Sequence, residues 1–426
     1  MKTILAFASI VVSLAAVVAT QQKEMLVIDA QQQRLTPRYR STVPIVESAN
    51  EIRCPPATEA VRIPFEEDDG HISLQLRISG SDPLRFALDT GATHTIINRK
   101  WETSLHLRPQ GKQQIEGASG YEEASLIKNV SIKLGDVELV NQTLWSLPLD
   151  ALFPAGGREI AGIIGYDLFR HFIVDIDFVA RQIALYDPKT FKYAGSGQSI
   201  PLIVQADGAI YVEASIAVAS HTPIEGQFVI DTGSNNTLML AKPFVDQHRL
   251  LESVGPTVPA RGGGVGGEIQ LVFGRLKSLQ IGPFAIANPV TAFITVGEIA
   301  DSGKSGNIGG KLLRRFRVIF DYSGQRMFLE PNKFFSEPDE SDMSGLALIA
   351  EPPDFKTIRI IKVRPNSPAA EAGLIPQDVI TAVDGERAAE LAKLRHLFRE
   401  DGKEHLLTIR RGDHAMQIKI RLRRLI

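Results

Sequence analysis

Two stretches of this chain share one grammar, and the pair limits what it can fold into more than any other feature. FALDTGATHTIIN (residues 86–98) and FVIDTGSNNTLML (residues 228–240) each run an apolar strand into Asp-Thr-Gly, a polar turn and a second apolar run. A glycine two residues beyond the carboxylate suits a tight turn, because glycine reaches positive φ without steric cost. The likeness extends outwards. IPFEEDDGHISLQLRI (63–78) precedes the first copy and IPLIVQADGAIYVEASI (200–216) the second, while GIIGYDLFRHFIVDIDF (162–178) answers GNIGGKLLRRFRVIFDY (306–322). The aspartates lie 142 positions apart, and Phe172 and Phe316 lie 144 apart. Near-equal offsets over such a span indicate duplication of a whole lobe, in two copies and not as a solenoid.

Between these landmarks the signals are runs of five to eight residues with alternating or apolar character, broken by Gly, Asp and Asn turns, which predicts all-β lobes. One short helix is expected over residues 167–172. Each lobe also has a glycine-rich turn before a strand pair: residues 117–120 in the first, and RGGGVGG at 261–267 in the second. The second fails as a phosphate cradle, since no Lys-Ser/Thr follows it and no helix start is signalled. It reads either as a hairpin tip or as a flexible loop. Two lobes, each offering one carboxylate on a turn, suggest that the carboxylates meet. Facing carboxyls cannot both ionise cheaply, so they share a proton and divide the roles of base and acid.

On these motifs the chain resembles the pepsin and retropepsin superfamily, in its form with both lobes in one chain, over about residues 60–333. The resemblance implies Asp89 and Asp231 as the catalytic pair, acting on a water with neither metal nor cofactor. It implies that the Thr90 and Thr232 hydroxyls bond across the lobe junction, and that Gly91, Ala92, Gly233 and Ser234 support the pair. A hydroxyl at the position of Ser234 is implied to bond its own carboxylate; Ala92 offers none, which places the shared proton mainly on Asp89. A flap tip over residues 117–124 is implied too, with Gly120 in it and Tyr121 leaning over the carboxyls. Ile163-Ile164-Gly165 fits the family's later apolar-apolar-Gly motif, whereas the second lobe departs from it with Asn307-Ile308-Gly309. His94, Asp175, Asp177 and Asp321 read as turn, structural or solvated residues.

At 426 residues, with 44% hydrophobic and 23% charged side chains, the composition is that of a globular chain with room for several domains. A net charge of −2 gives no electrostatic footprint for nucleic acid. A single cysteine, Cys54, excludes an intramolecular disulfide. Residues 1–20 carry a lone Lys2, an almost unbroken apolar run and then Val17-Val18-Ala19. They read as a secretory signal peptide, the alternative being an uncleaved anchor helix and with it the one expected membrane contact. Residues 21–59, rich in Gln, Arg, Pro and Ser, read as a linker or pro-segment.

The first lobe is expected over 60–190, the second over 191–333, and an acidic linker over 334–344. A different unit follows at 345–426. It has a strand TIRIIKV (357–363), a Ser-capped helix with Pro at its first turn and Gly at its stop (366–374), and a strand into Asp384-Gly385. A helix over 388–399 and a final hairpin complete it. The run SPAAEAGL-IPQDVITAVDG resembles a PDZ domain of the bacterial type. That resemblance implies a loop, Gly345-Leu346-Ala347-Leu348, whose amides capture a peptide carboxylate beside a strand-accepting sheet edge.

The expected architecture is therefore all-β, two homologous retropepsin-like lobes in a pepsin-like unit, followed by an α+β PDZ domain. The expected activity is that of a secreted or periplasmic aspartic endopeptidase acting on peptides or unfolded proteins, with C-terminal peptides as ligands of the PDZ unit. The other reading is a peptide-binding scaffold of the same fold that cleaves nothing, against which stands an intact Asp-Thr-Gly in both copies.

Overall fold

The computed structural model describes residues 51–53, 60–117, 119–152, 157–218, 222–297 and 304–426. The expected signal segment, Cys54 and most of residues 21–59 lie outside the described residues. Among the described residues no helix is long and apolar enough to cross a membrane.

Strict alternation in HISLQLRI produces the strand His71–Ile78, with Ile72, Leu74, Leu76 and Ile78 all buried on one face. It pairs with Leu84–Leu88, which delivers the chain to Asp89. Leu84–Leu88 in turn lies parallel to Gly162–Ile164, whose other side pairs antiparallel with Ile96–Asn98. The second lobe repeats the arrangement. Ile224–Asp231 runs parallel to Gly306–Gly309, and Leu238–Leu240 pairs antiparallel on the far side. Phe86 faces Gly162 in one lobe and Phe228 faces Gly306 in the other, so the two offsets seen in the sequence become one register.

A six-stranded sheet joins the lobes. Val61–Pro64, Gln182–Tyr186 and Ile173–Asp177 come from the first lobe; Phe316–Asp321, Arg326–Pro331 and Gln198–Pro201 come from the second. At its centre Val174 pairs with Phe320, and the buried carboxylate of Asp175 takes both ends of the Arg317 guanidinium at 2.9 and 2.6 Å. One apolar cluster runs through both lobes, and Phe169 of the helix Tyr166–Phe169 meets Phe320 edge-on at 5.4 Å.

The C-terminal unit is a sheet in the order Leu346–Glu351, Thr357–Val363, Val379–Val383, Glu404–Arg411, His414–Arg421. Ser367 caps the helix Pro368–Glu371 by accepting from the Ala370 amide, as its sequence requires. The second helix spans Leu391–Leu397, shorter at its start than the sequence suggests, because the Ala388 amide is drawn back to the Thr381 carbonyl.

The expected acidic linker is not a free tether. Arg275 of the second lobe donates to the Asp339 carbonyl at 2.7 Å and to Glu340 at 2.6 Å, and Asp339 accepts the Val290 amide. Arg424 shares Glu340, and the Met343 amide bonds the Phe398 carbonyl. The acidic residues are thus consumed by pairing to both neighbours. The C-terminal unit also rests on the first lobe. Ile96, Trp145, Leu147 and Ile163 fall in one buried cluster with Leu348, Ile360, Leu391 and Leu394, and Arg399 pairs with Asp69.

Candidate active site

Each Asp-Thr-Gly turn leaves its strand with the backbone fixed. The Asp89 amide bonds the Ile164 carbonyl at 2.9 Å, and the Gly91 amide folds back onto Asp89 Oδ1 at 2.7 Å. In the second lobe the Gly233 amide donates to Asp231 Oδ1 at 2.9 Å. The following threonines lock the turns to each other. Thr90 Oγ1 donates to the Ile230 carbonyl (2.6 Å) and accepts the Thr232 amide (3.0 Å). Thr232 Oγ1 donates to the Leu88 carbonyl (2.9 Å) and accepts the Thr90 amide (3.0 Å). Both threonines are 1% exposed, so four hydrogen bonds cross the junction in a dry, two-fold-related square.

The lock brings the half-buried carboxyls of Asp89 and Asp231 into hydrogen-bonding contact. Glycine is obligatory at 233, where a Cβ would stand 2.3 Å from the Asp89 carboxyl carbon; at 91 the nearest atom would lie 3.1 Å away, and neither glycine has the positive φ its turn suggested. Burial raises Asp89 above the ordinary carboxylate range. Burial, and then the facing charge of Asp89, push Asp231 well above it. Such a pair titrates as a unit and holds one proton across a broad pH range.

The two sites are chemically unequal, but not in the expected sense: Asp231 is raised further than Asp89, so it and not Asp89 is favoured to hold the shared proton. Ser234 Oγ accepts from the Asn236 amide and side chain at 3.4 and 3.2 Å and contributes no side-chain hydrogen bond to Asp231. The outer oxygen of Asp231, Oδ2, instead takes Asn307 Nδ2 at 2.9 Å. Asn307 is the residue that replaces the apolar Ile163 of the first lobe. Its register on the Gly306–Gly309 strand places it opposite Val229 and beside the aspartate. On the first-lobe side Ala92 has no hydroxyl; its carbonyl accepts the Tyr166 amide instead.

His71 also belongs to this site. Its Nε2 bonds the Gly233 carbonyl at 2.9 Å, which requires a proton on that nitrogen, and burial keeps the ring's pKa below the usual histidine value. The turn before His71 packs against the second lobe, where Asp69 pairs with Lys311 at 3.2 Å. Burial alone would raise Asp69, but Lys311 and Arg399 outweigh it and hold the carboxyl low.

Each lobe carries one hairpin of the kind expected as a flap. The first is the hairpin Gln110–Gly117 with Gly120–Leu134, and the glycine-rich loop forms the second, Val258–Gly264 with Gly267–Arg275. Their tips meet through backbone: the Ser119 amide donates to the Val265 carbonyl at 2.9 Å, and a Cβ on Gly266 would stand 2.2 Å from the Gly120 carbonyl oxygen. Tyr121 does not lean over the carboxyls. Strand alternation turns Gly120 and Glu122 to the more covered side and leaves Tyr121 63% exposed.

The PDZ loop also differs from expectation. The Gly345 amide bonds Asp342 Oδ1 (3.3 Å) and the Leu346 amide bonds Ser344 Oγ (3.1 Å). Two of the amides expected to take a peptide carboxylate are therefore satisfied by the chain's own Asp342 and Ser344. The Leu348 carbonyl already accepts Arg395 Nη2 at 3.3 Å. Ala347 pairs with Lys362 within the sheet.

Of the residues brought to the site without warning, Asn307 had a signal, the mismatch between GIIG and GNIG. His71 had none beyond its place after an acidic turn.

Comparison with known proteins finds likeness in separate regions of the chain. The aspartyl protease family matches residues 74–168, and the PDZ domain family matches residues 359–411. A probable CtpA-like serine protease of Staphylococcus haemolyticus (strain JCSC1435) is 34% identical over 108 residues. The match takes in 25% of this chain and 22% of that protein's length. The aspartic proteinase of Irpex lacteus, a solved structure, superposes with a TM-score of 0.44 at 14% identity, over 65% of this chain and 99% of that one. Residues 74–168 thus match the aspartyl protease family and residues 359–411 the PDZ domain family, on one chain of two all-β lobes and a C-terminal sheet unit.

Proposed function

We propose that this chain is an aspartic endopeptidase whose two lobes supply one carboxyl each. The observation that carries the reading is the reciprocal threonine lock, which holds Asp89 and Asp231 in contact with one another and partly open to the cleft. A water between the carboxyls gives a proton to the ionised member as its oxygen attacks the peptide carbonyl carbon. The protonated member donates to the carbonyl oxygen, leaving a gem-diol. The dyad then gives its proton to the peptide nitrogen, the carbon–nitrogen bond breaks with the electron pair going to the leaving amine, and a gem-diol hydroxyl returns its proton to the dyad as the product carboxyl forms. The meeting flaps exclude bulk water, which strengthens the electrostatics of the cleft.

In this reading the PDZ unit takes an extended peptide segment along Leu346–Glu351 once Arg395 swings aside, and the N-terminal segment directs the chain to the periplasm or outside the cell. The test is digestion of unfolded casein across a wide pH range, alone, with pepstatin, and with a serine-directed reagent. Pepstatin-blocked cleavage is expected. Cleavage blocked only by the serine reagent would replace the aspartic mechanism, and absence of cleavage at every pH would leave a binding protein.

A further inference from the structure

Asn307 has a second end. While its Nδ2 holds Asp231, its Oδ1 is buried with no hydrogen-bond partner, on a side chain only 9% exposed. A buried carbonyl oxygen without a donor is costly, of the order of a lost hydrogen bond. Covalent geometry keeps that oxygen within about one carboxamide width of the nitrogen bonded to Asp231, and so beside the reacting carboxyl. The equivalent position in the first lobe is filled differently. Ile163 stands at the duplicated position and falls in an apolar cluster with Ile96 and Trp145, with Ala87 and Ala92 packed against it. The two duplicated positions are therefore unlike, one apolar and one carrying an orphan acceptor beside its carboxyl.

We propose that Asn307 Oδ1 is a specificity determinant: it accepts a hydrogen bond from the side chain of one of the two residues flanking the scissile bond. The favoured substrates are peptides with Ser, Thr, Asn or Gln on one side of that bond and an aliphatic residue on the other. This rests on the aspartic peptidase reading above. A site built to receive a donor rejects an isosteric apolar group, because burying that group leaves the oxygen unpaired. No apolar side chain of the first-lobe kind could produce that discrimination.

The experiment compares kcat/KM on matched peptides that differ only as Thr against Val, or Asn against Leu, at each flanking position in turn. The full chain is used, as wild type and as Asn307→Ile and Asn307→Ala. Wild type is expected to favour Thr over Val and Asn over Leu by about tenfold at one position, and the aliphatic member at the other. Asn307→Ile, which copies the first lobe, should abolish or invert the first preference and leave the second in place. Asn307→Ala supplies the same readout if the isoleucine does not fit. Cleavage of all peptides with no donor preference at either position in wild type, or a preference that survives both substitutions, overturns the assignment. Failure to cleave any peptide overturns the aspartic reading itself, and the assignment with it.

Discussion

Thr90→Val would strand two buried groups at once, the Thr232 amide that its hydroxyl accepts and the Ile230 carbonyl to which it donates. Each stranded group costs about 1–3 kcal/mol. Denaturant unfolding of Thr90→Val and Thr232→Val should therefore show losses of at least that size, with Thr→Ser at either position recovering most of it. A loss near zero for Val would mean that the square of four bonds does not bind the lobes. Asn307 gives a second residue-scale prediction, in pH. Its amide donates to Asp231 and so favours the ionised carboxylate; removing it raises the pKa of whichever step ionises Asp231. In the proposed mechanism the singly protonated dyad is the active form, so Asn307→Leu should move the pH–activity profile towards higher pH. A hydrogen bond of ~1 kcal/mol corresponds to somewhat less than about one pH unit. An unmoved profile, or one displaced towards acid, contradicts the assignment. The aspartates were legible in the sequence because their turn chemistry repeats with a fixed spacing. Asn307 was legible only as a departure, since which atom it touches depends on a strand 76 residues from its partner. Ser234 and Tyr121 were misjudged for related reasons: a nearby Asn236 took the serine hydroxyl, and the phase of the flap strand turned the tyrosine outward.

Among the elements, the flaps illustrate what periodicity leaves out. The glycine-rich 261–267 run read equally well as loop or hairpin, because local sequence does not say what the tip will meet. It meets the other flap. Glycine is required at 266 both for its φ of +97° and for the approach of the Gly120 carbonyl. Gly266→Ala should splay the tips and weaken closure over a bound peptide, raising KM several-fold while Tm changes little, because the tips lie outside the core. Loss of stability with unchanged KM would show that the contact supports the resting fold alone. Strands were the legible elements, with His71–Ile78 and Thr357–Val363 matching their alternation or apolar run closely. The helix Leu391–Leu397 was overextended in prospect because the Ala388 amide finds a strand partner first.

At the scale of the whole molecule, the duplication made the two-lobed architecture plain, whereas the placement of the PDZ unit was hidden. The acidic composition of residues 334–344 suggests a solvated tether, yet Glu337 pairs with Arg314, Glu340 with Arg275 and Arg424, and Asp339 and Asp342 accept backbone amides. Deleting residues 342–426 would open the buried apolar cluster that first-lobe side chains share with the PDZ core. Each large apolar side chain uncovered costs about 1.5–3 kcal/mol if it becomes fully exposed. The truncated chain should therefore melt lower than the full chain and lose activity on short peptides as well as on proteins. Unchanged Tm and unchanged short-peptide turnover would mean that the PDZ unit is an independent tether after all. The pairing of the lobes remains the centre of the account, and kcat/KM on one cleavable peptide for Asp89→Asn, Asp231→Asn and the double variant tests it most directly. Each single substitution should lower the rate by at least about 10²–10⁴-fold, and the double should lose no more than either, because the carboxyls act as one unit. Near-normal activity in one single variant, or losses that multiply in the double, would contradict a dyad built from Asp89 and Asp231.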